Sequence, residues 1–576
     1  MTSRRDVSPR ELGLVALGAC LVAVVMHWPL VLNLGSEIPK DLGDPLAQAW
    51  QVAWGGHALA EQPLDFFQSN QFWPLDDTLA FSDALLGYAP AGLIGSGPEA
   101  AVTRYDLLFL FAYALAFFGA YLLARELGLG PAGAAVAGAA FAFAPFRLDQ
   151  DGHMHVISSG GIPLSLALAV RGYRLRHAGW VVAAFAVAAW QFSLGPSLGL
   201  PFTYLLCLLG GIAIVAWLRH GRPPLDRRLL ASTAAGALLY LAVVAVIAQP
   251  YLRVADEQRD ADRPPSTVEA YSDYPHIYAV ASEENLVWGG ATSAISDTLQ
   301  NAHEKTLFPG LAILGLAILG LRAATLDRRL RIGLATGVVG VAVLALGFRE
   351  SGGLLWPDRI AYELLPGWDG IRTPGRLFIF ATLGLALLAG AGAGRALAAA
   401  RRRVGARSAR PASAMTATVI ILAILVEGRG LPFDPTDSQA QPPVPELPAD
   451  VSDVPQPQLH LPAPLAEDNR RYLLWSTDGF PEIVNGRSSI QPEFTTNLIE
   501  GMDEFPDRAS VAELRRQGVR SVILHLDRVK GTEQSAAADK PIAGLGLRRT
   551  HIGGVLVYEI ESASAASRPR EAPGLG

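Results

Sequence analysis

Eleven long apolar runs punctuate the first 426 residues of this 576-residue chain. They are Leu12–Leu32, Asp106–Leu123, Ala132–Phe146, Val156–Val170, Trp180–Leu194, Leu200–Leu218, Leu229–Gln249, Leu307–Leu321, Ile332–Phe348, Leu377–Gly394 and Ala412–Val426. Crossing the hydrocarbon of a bilayer takes a helix of about 20 apolar residues, or about 17 at the short end. The overall make-up, 51% hydrophobic and 17% charged, is that of an integral membrane protein. The expected fold class is therefore an α-helical polytopic membrane protein with about 11 transmembrane helices. Gly and Ala crowd the runs 132–144 and 384–394, as suits helices whose backbones pack closely. Residues 84–97 are apolar but short and rich in Gly and Pro, which suggests an interfacial or re-entrant piece. The basic start followed by an apolar run to Leu32 reads as an uncleaved anchor.

The arginines test this count independently, because cytoplasmic loops hold the Lys/Arg excess. With Arg4, Arg5 and Arg10 inside, every second loop is basic, from Arg125 through Arg171, Arg174 and Arg176 to the run Arg401, Arg402 and Arg403. The intervening loops 33–105, 147–155, 195–199, 250–306 and 349–376 are acidic, mixed or uncharged. This alternation places the N-terminus in the cytoplasm and everything after Val426 outside. The domain plan is a multispan region 1–426 with large outer loops 33–105 and 250–306. A Pro-rich linker 427–457, an extracytoplasmic α/β domain 458–562 and a disordered tail 563–576 follow. In that domain Tyr472–Ser476, Val519–Leu526 and Gly554–Ile560 read as strands. Asp507–Gly518 reads as a helix capped by Ser510 and ended by Gly518. Asn485-Gly486 reads as a turn. Cys20 and Cys207 both sit in apolar runs, so no disulfide framework or cysteine metal site is expected. No nucleic-acid partner is expected either.

Three polar constellations are candidates for chemistry, and all fall in outer loops. The first loop holds eight acids before Glu99, with Lys40 the one cation ahead of Arg104. Within it, Asp41-Leu-Gly-Asp44-Pro45 could bind a divalent cation, or one aspartate could take a proton from an acceptor hydroxyl. The alternative is a solvated Asx-turn. Asp76-Asp77 reads as the cap of a helix start. The second constellation, Arg147-Leu-Asp149-Gln-Asp151-Gly-His153-Met-His155, packs two carboxylates, two imidazoles and a guanidinium at a membrane boundary. His153 and His155 are candidate metal ligands, although a hydrated loop would carry the same residues. The third pairs Arg372 and Arg376 around Pro374 and Gly375. Arginine forks suit phosphate oxygens, here a lipid's, or ordinary headgroup anchoring. No ionisable residue falls near the middle of a run, which argues against a transporter.

Short motifs add a resemblance. They include Gly43-Asp44-Pro45 with Trp50 and Trp54, Phe72-Trp-Pro74, and Leu79-Ala-Phe-Ser82-Asp83. Phe141-Ala-Phe-Ala-Pro145-Phe-Arg147 with His153 and His155, Ile162-Pro163-Leu164, Leu307-Phe-Pro-Gly310, Arg372-Thr-Pro374-Gly-Arg376 and Val484-Asn485-Gly486 complete the set. The pattern resembles the C-type glycosyltransferase superfamily (GT-C) of integral membrane proteins, and within it a sparsely characterised bacterial group of membrane glycosyltransferases. The resemblance implies transfer of a sugar from a polyprenyl-phosphate-linked donor to an envelope glycan or glycolipid, on the outer face of the bacterial cytoplasmic membrane. It implies a catalytic acid in the first outer loop, matched by Asp44 and secondarily by Asp41. A second acidic motif between the third and fourth spans corresponds to Asp149 and Asp151. Arg147, Arg372 and Arg376 would attend the substrate, and a divalent metal ion could serve as cofactor. The chain has Asp-x-x-Asp where better-known members have Asp-x-Asp or adjacent acids, which leaves the acting aspartate open. The competing expectation is a non-catalytic envelope scaffold that binds lipid-linked saccharide.

Overall fold

The computed structural model describes residues 7–221, 226–258, 263–349, 356–403, 409–430, 441–463 and 466–561. The expected tail 563–576 and part of the linker, residues 431–440, lie outside the described residues. The chain folds as two compact units. One comprises residues 1–33, 106–249 and 263–440; the other comprises 34–105, 250–262 and 441–576.

The first unit is helical, and each of the eleven apolar runs contains a helix. Among the described residues, six helical segments are long and apolar enough to cross a membrane: Pro9–Met26, Gly97–Glu126, Met154–Leu175, Pro196–Arg219, Arg227–Glu257 and Pro374–Arg403. Pro131–Ala142, Ala178–Ser193, Leu311–Gly320 and Pro411–Glu427 are apolar but shorter, and most of the remaining run, Ile332–Phe348, lies in the helix Arg328–Ala345. Proline and glycine account for several early ends. Phe143 and Ala144 leave helical geometry just before Pro145, and Leu311 begins a helix after Gly310 at φ 92°.

The helix Phe378–Arg403 is the core element, with sixteen buried residues. Its small side chains let neighbours approach. A Cβ on Gly392 would lie 1.9 Å from the Leu316 carbonyl oxygen, which only glycine tolerates. Helices on the outside of the unit, such as Pro196–Arg219 and Arg227–Glu257, leave Leu208, Ile212, Leu238 and Val246 exposed, as lipid-facing surfaces should be.

The second unit joins the first loop to the C-terminal residues. Its sheet has the order β1-β2-β4-β3, with β1 Gln458–Leu461, β2 Ser521–His525, β3 Leu547–Ile552 and β4 Val555–Ile560. β1 and β2 are parallel, and β4 runs antiparallel to both β2 and β3. The helices 466–475, 493–500 and 508–517 lie between β1 and β2 in sequence, as a parallel pair requires a long crossover.

Three local elements differ from those the sequence suggests. Residues 472–475 belong to the helix Ala466–Trp475, not to a strand. Their apolar run is too short to show its period, and Tyr472, Leu473, Leu474 and Trp475 are all buried, so burial hides the face. The cap of Arg508–Gln517 is Asp507, with Ser510 in the N3 position of a reciprocal capping box; Gly518 does end it, at φ 83°. Asp77 precedes the 3-10 turn Thr78–Phe81 but makes no capping hydrogen bond. It pairs with Arg253 at 2.8 Å instead.

Asn485 is more than a turn residue. It is fully buried, accepts from the His460 N–H at 2.7 Å, and donates to the His460 carbonyl and the Asn469 side chain at 3.0 Å each. His460 Nδ1 and His525 Nε2 lie 3.0 Å apart, and Tyr472 and Trp475 pack on the His525 ring. Burial pushes His460 down to about 3, and burial plus the neighbouring His460 puts His525 well below the ordinary histidine range. Below about pH 6.5 the unfolded chain binds protons that the folded pair refuses, so stability falls as pH drops from there toward 3. Hydrogen-exchange protection of β1 and β2, corrected for intrinsic rate, is expected to be lower at pH 5 than at pH 7.5. His525→Phe is expected to flatten that dependence.

Candidate functional site

The Asp44 site is built by one helix in the first loop. Asp44–Glu61 begins at a Gly43 cap with Asp44 in its first turn and Pro45 next, where a carboxylate complements the helix dipole and a missing N–H costs nothing. Asp41 folds back so that its Oδ1 accepts from the Gly43 N–H at 2.7 Å, the Asx-turn that its sequence allows. The helix is fixed by its tryptophans. Trp50 Nε1 donates to Asn70 Oδ1 at 3.0 Å, Trp54 Nε1 donates to the Phe66 carbonyl at 3.1 Å, and both rings pack with Leu473 and Ile483. Asp44 remains 44% exposed, and Arg470 Nη2 donates to its Oδ1 at 2.7 Å.

The other unit holds a polar cluster made by four short segments: Pro145–Gln150, Met154–Ile157, Ala302–Glu304 and Pro374–Leu377. Glu304, 2% exposed, is its centre. Arg376 Nε donates to both Glu304 oxygens at 3.1 Å, and Nη2 also reaches Oε1. Arg376 Nη1 lies 2.8 Å from His155 Nε2. A guanidinium has no acceptor, so that nitrogen carries the lone pair and the His155 proton sits on Nδ1. Gln150 Nε2 donates to Glu304 Oε2 at 3.4 Å and to the His303 carbonyl at 3.2 Å, and His153 Nε2 stands 3.8 Å from Glu304 Oε1. Burial would raise Glu304, but the charges of Arg376, His153 and His303 and the Arg376 hydrogen bonds outweigh it and hold it at about 2. Gly375 permits the approach: a Cβ there would lie 2.4 Å from the Glu304 carbonyl oxygen.

The remaining candidates are embedded around this pair. Asp149 accepts from Ser282 at 2.7 Å and from Thr306, and Asp151 accepts from Tyr113. Arg147 is 1% exposed; it donates to Ser159 and the Ile157 carbonyl and packs over the Tyr113 and Phe141 rings. Arg372 lies over the Tyr271 ring, with its guanidinium carbon 5.6 Å from the centroid. Nearby in sequence, Asp273 gathers Lys305 at 3.3 Å, His276 at 3.8 Å and Arg349 at 3.9 Å.

The structure gathers the candidates Asp149, Asp151, His153, His155, Arg147 and Arg376 in and around one polar cluster, and adds Glu304, which the sequence did not single out. The signal was there, in the dense run His303-Glu304-Lys305-Thr306 directly before an apolar segment. Arg470 was not among the candidates; the end of its helix, from Tyr472, reads as a strand. The metal expectation fits poorly at the histidines. Among the described residues no group of three or more His, Cys, Asp or Glu is placed to hold an ion, and Arg376 presents a cation to the His155 lone pair.

Comparison with solved structures decides the fold. The chain superposes on the arabinofuranosyltransferase AftD from Mycobacteria with a TM-score of 0.55, at 16% identity, over 97% of this chain and 42% of that one. The chain shares the fold of that arabinofuranosyltransferase, in keeping with the resemblance carried by its motifs. ArnT from Cupriavidus metallidurans bound to undecaprenyl phosphate gives 0.48 at 13% identity, over 95% and 97% of the two chains. The oligosaccharyltransferase of Archaeoglobus fulgidus gives 0.46 at 13% identity, over 97% and 75%. The chain spans under half the length of the arabinofuranosyltransferase. No protein-family model and no curated protein matches the sequence.

The buried pair makes a prediction. Glu304→Gln removes the buried carboxylate charge that faces the Arg376 guanidinium and is expected to destabilise the protein by about 3–5 kcal/mol. Thermal unfolding of the purified, lipid-reconstituted chain would show this as a lowered midpoint.

Proposed function

We propose that this protein is an inverting glycosyltransferase of the bacterial cytoplasmic membrane, working on its outer face with a polyprenyl-phosphate-linked sugar as donor. Asp44 is the proposed base. The observation that carries this reading is a half-exposed carboxylate on a rigid, tryptophan-anchored helix start, in a chain whose fold it shares with a glycosyltransferase.

In the proposed reaction Asp44 takes the proton of an acceptor hydroxyl while that oxygen bonds to the anomeric carbon. The bond from that carbon to the phosphate oxygen breaks, and its electron pair leaves with the lipid phosphate. Charge builds on that phosphate, and its neutralisation is where most of the rate should come from. Arg372 is the guanidinium we assign to it, because its contact is a ring face and no carboxylate ion-pairs with it among the described residues. Arg376, by contrast, has all three of its nitrogens engaged by Glu304 and His155, so we assign it to holding the cluster. The acceptor is proposed to be an envelope glycan or glycolipid.

The test is a mass profile of envelope glycans and glycolipids in a deletion strain, with wild type or Asp44→Asn returned at equal abundance. A sugar lost on deletion is expected to return with wild type and not with Asp44→Asn, since removing a general base costs about 10²–10⁴-fold in rate. Full restoration by Asp44→Asn would remove Asp44 from the mechanism. An unchanged profile in the deletion strain would favour the scaffold that the sequence also allowed.

A further inference from the structure

Arg470 was invisible as a functional residue in the sequence, yet its surroundings are those of a built component. It lies on Ala466–Trp475, in the C-terminal part of the second unit. Asp468, Asn469, Tyr472 and Leu473 on that helix are all buried. Asp468 pairs with Arg528, Asn469 accepts from Asn485, the Tyr472 hydroxyl donates to the Pro462 carbonyl, and Leu473 packs against Trp50 and Trp54. Leu473 is three residues from Arg470, on the same helical face, so the contact that seats the helix on the tryptophans also aims the guanidinium at Asp44. The side chain of Arg470 is only 13% exposed. Sequestering an arginine costs free energy unless partners recover it, and Asp44 Oδ1 at 2.7 Å is one of them.

We propose that Arg470 is a positioning residue for Asp44: it fixes the orientation of the carboxylate and keeps it ionised until the acceptor's proton arrives. This rests on Asp44 being the base. It gives the C-terminal residues a part in the reaction, because the helix that delivers Arg470 is held by β1, by Asn485 and by Arg528 beyond β2. A carboxylate in the first turn of a helix and opposite a guanidinium is doubly favoured as the anion. Once it has accepted the proton, its hold on Arg470 weakens, and losing the proton restores the pair for the next cycle.

The experiment has two arms on the full chain. In the first, protein in lipid nanodiscs is treated with a water-soluble carbodiimide and glycine ethyl ester, which capture protonated carboxyls. Peptide mass spectrometry then follows Asp44 against pH, with exposed Asp65 as reference. At pH 6, Arg470→Met is expected to raise Asp44 labelling by about 10-fold or more, and Arg470→Lys to stay near wild type. Buried Asp468 reports folding; if Arg470→Met exposes it, Arg470→Gln takes its place. Unchanged Asp44 labelling with Asp468 still protected would overturn the proposal. In the second arm the same variants are returned to the deletion strain. Product is expected to fall with Arg470→Met and to recover with Arg470→Lys; undiminished product despite altered labelling would also overturn the proposal. Restoration of product by Asp44→Asn would instead defeat the base assignment, whatever the labelling shows.

Discussion

A carboxylate removed from water is costly unless cations or hydrogen-bond donors answer its charge, and the Glu304–Arg376 pair is the contact on which the first unit's polar cluster depends. Its oxygens draw Arg376 onto the Ala302–Glu304 turn. Arg376 in turn selects the His155 tautomer, and Gly375 lets the two backbones meet. Asp149 and Asp151 follow the same rule with hydroxyl partners. Dense polar sequence near a bilayer is thus first a matter of mutual satisfaction. A group can serve further only if its partners leave it reachable, which is why Arg372 and Arg376, four residues apart, receive different proposed roles.

The second unit applies the rule with more water. The Asp44 carboxylate is half exposed while its arginine is nearly covered, so the pair is asymmetric: one partner is fixed and the other meets solvent. The fixed side comes from a helix gripped by aromatic packing and by Asn485, and the exposed side from a helix start anchored at Trp50 and Trp54. Packed elements on both sides are what a carboxylate proposed as a base needs in order to keep one orientation.

Much of the fold was legible because hydrocarbon is unforgiving. A span must be a continuous apolar helix, so the runs from Leu12 to Val426 could be read directly. The small C-terminal sheet was half legible. β2 and β4 announce themselves through Val519–Leu526 and Gly554–Ile560, whereas β1 is four residues long and β3 is Leu-Arg-Arg-Thr-His-Ile, too polar to stand out. The site was legible as a list of polar residues and not as a set of pairs. Asp44 and Arg470 are 426 residues apart, and Arg376 and Glu304 are 72 apart; no local pattern links them.

The sequence by itself determined that this chain is a helical membrane protein, because apolar length and backbone hydrogen bonding leave no other solution. It also placed the polar constellations in the loops, since charge is excluded from the spans. Only the tertiary structure decided which of those charges neutralise one another. Pairing depends on which loops the packed helices bring together, and on glycines such as Gly375 that let them close to contact. That is a property of three-dimensional distance, which neither composition nor spacing encodes.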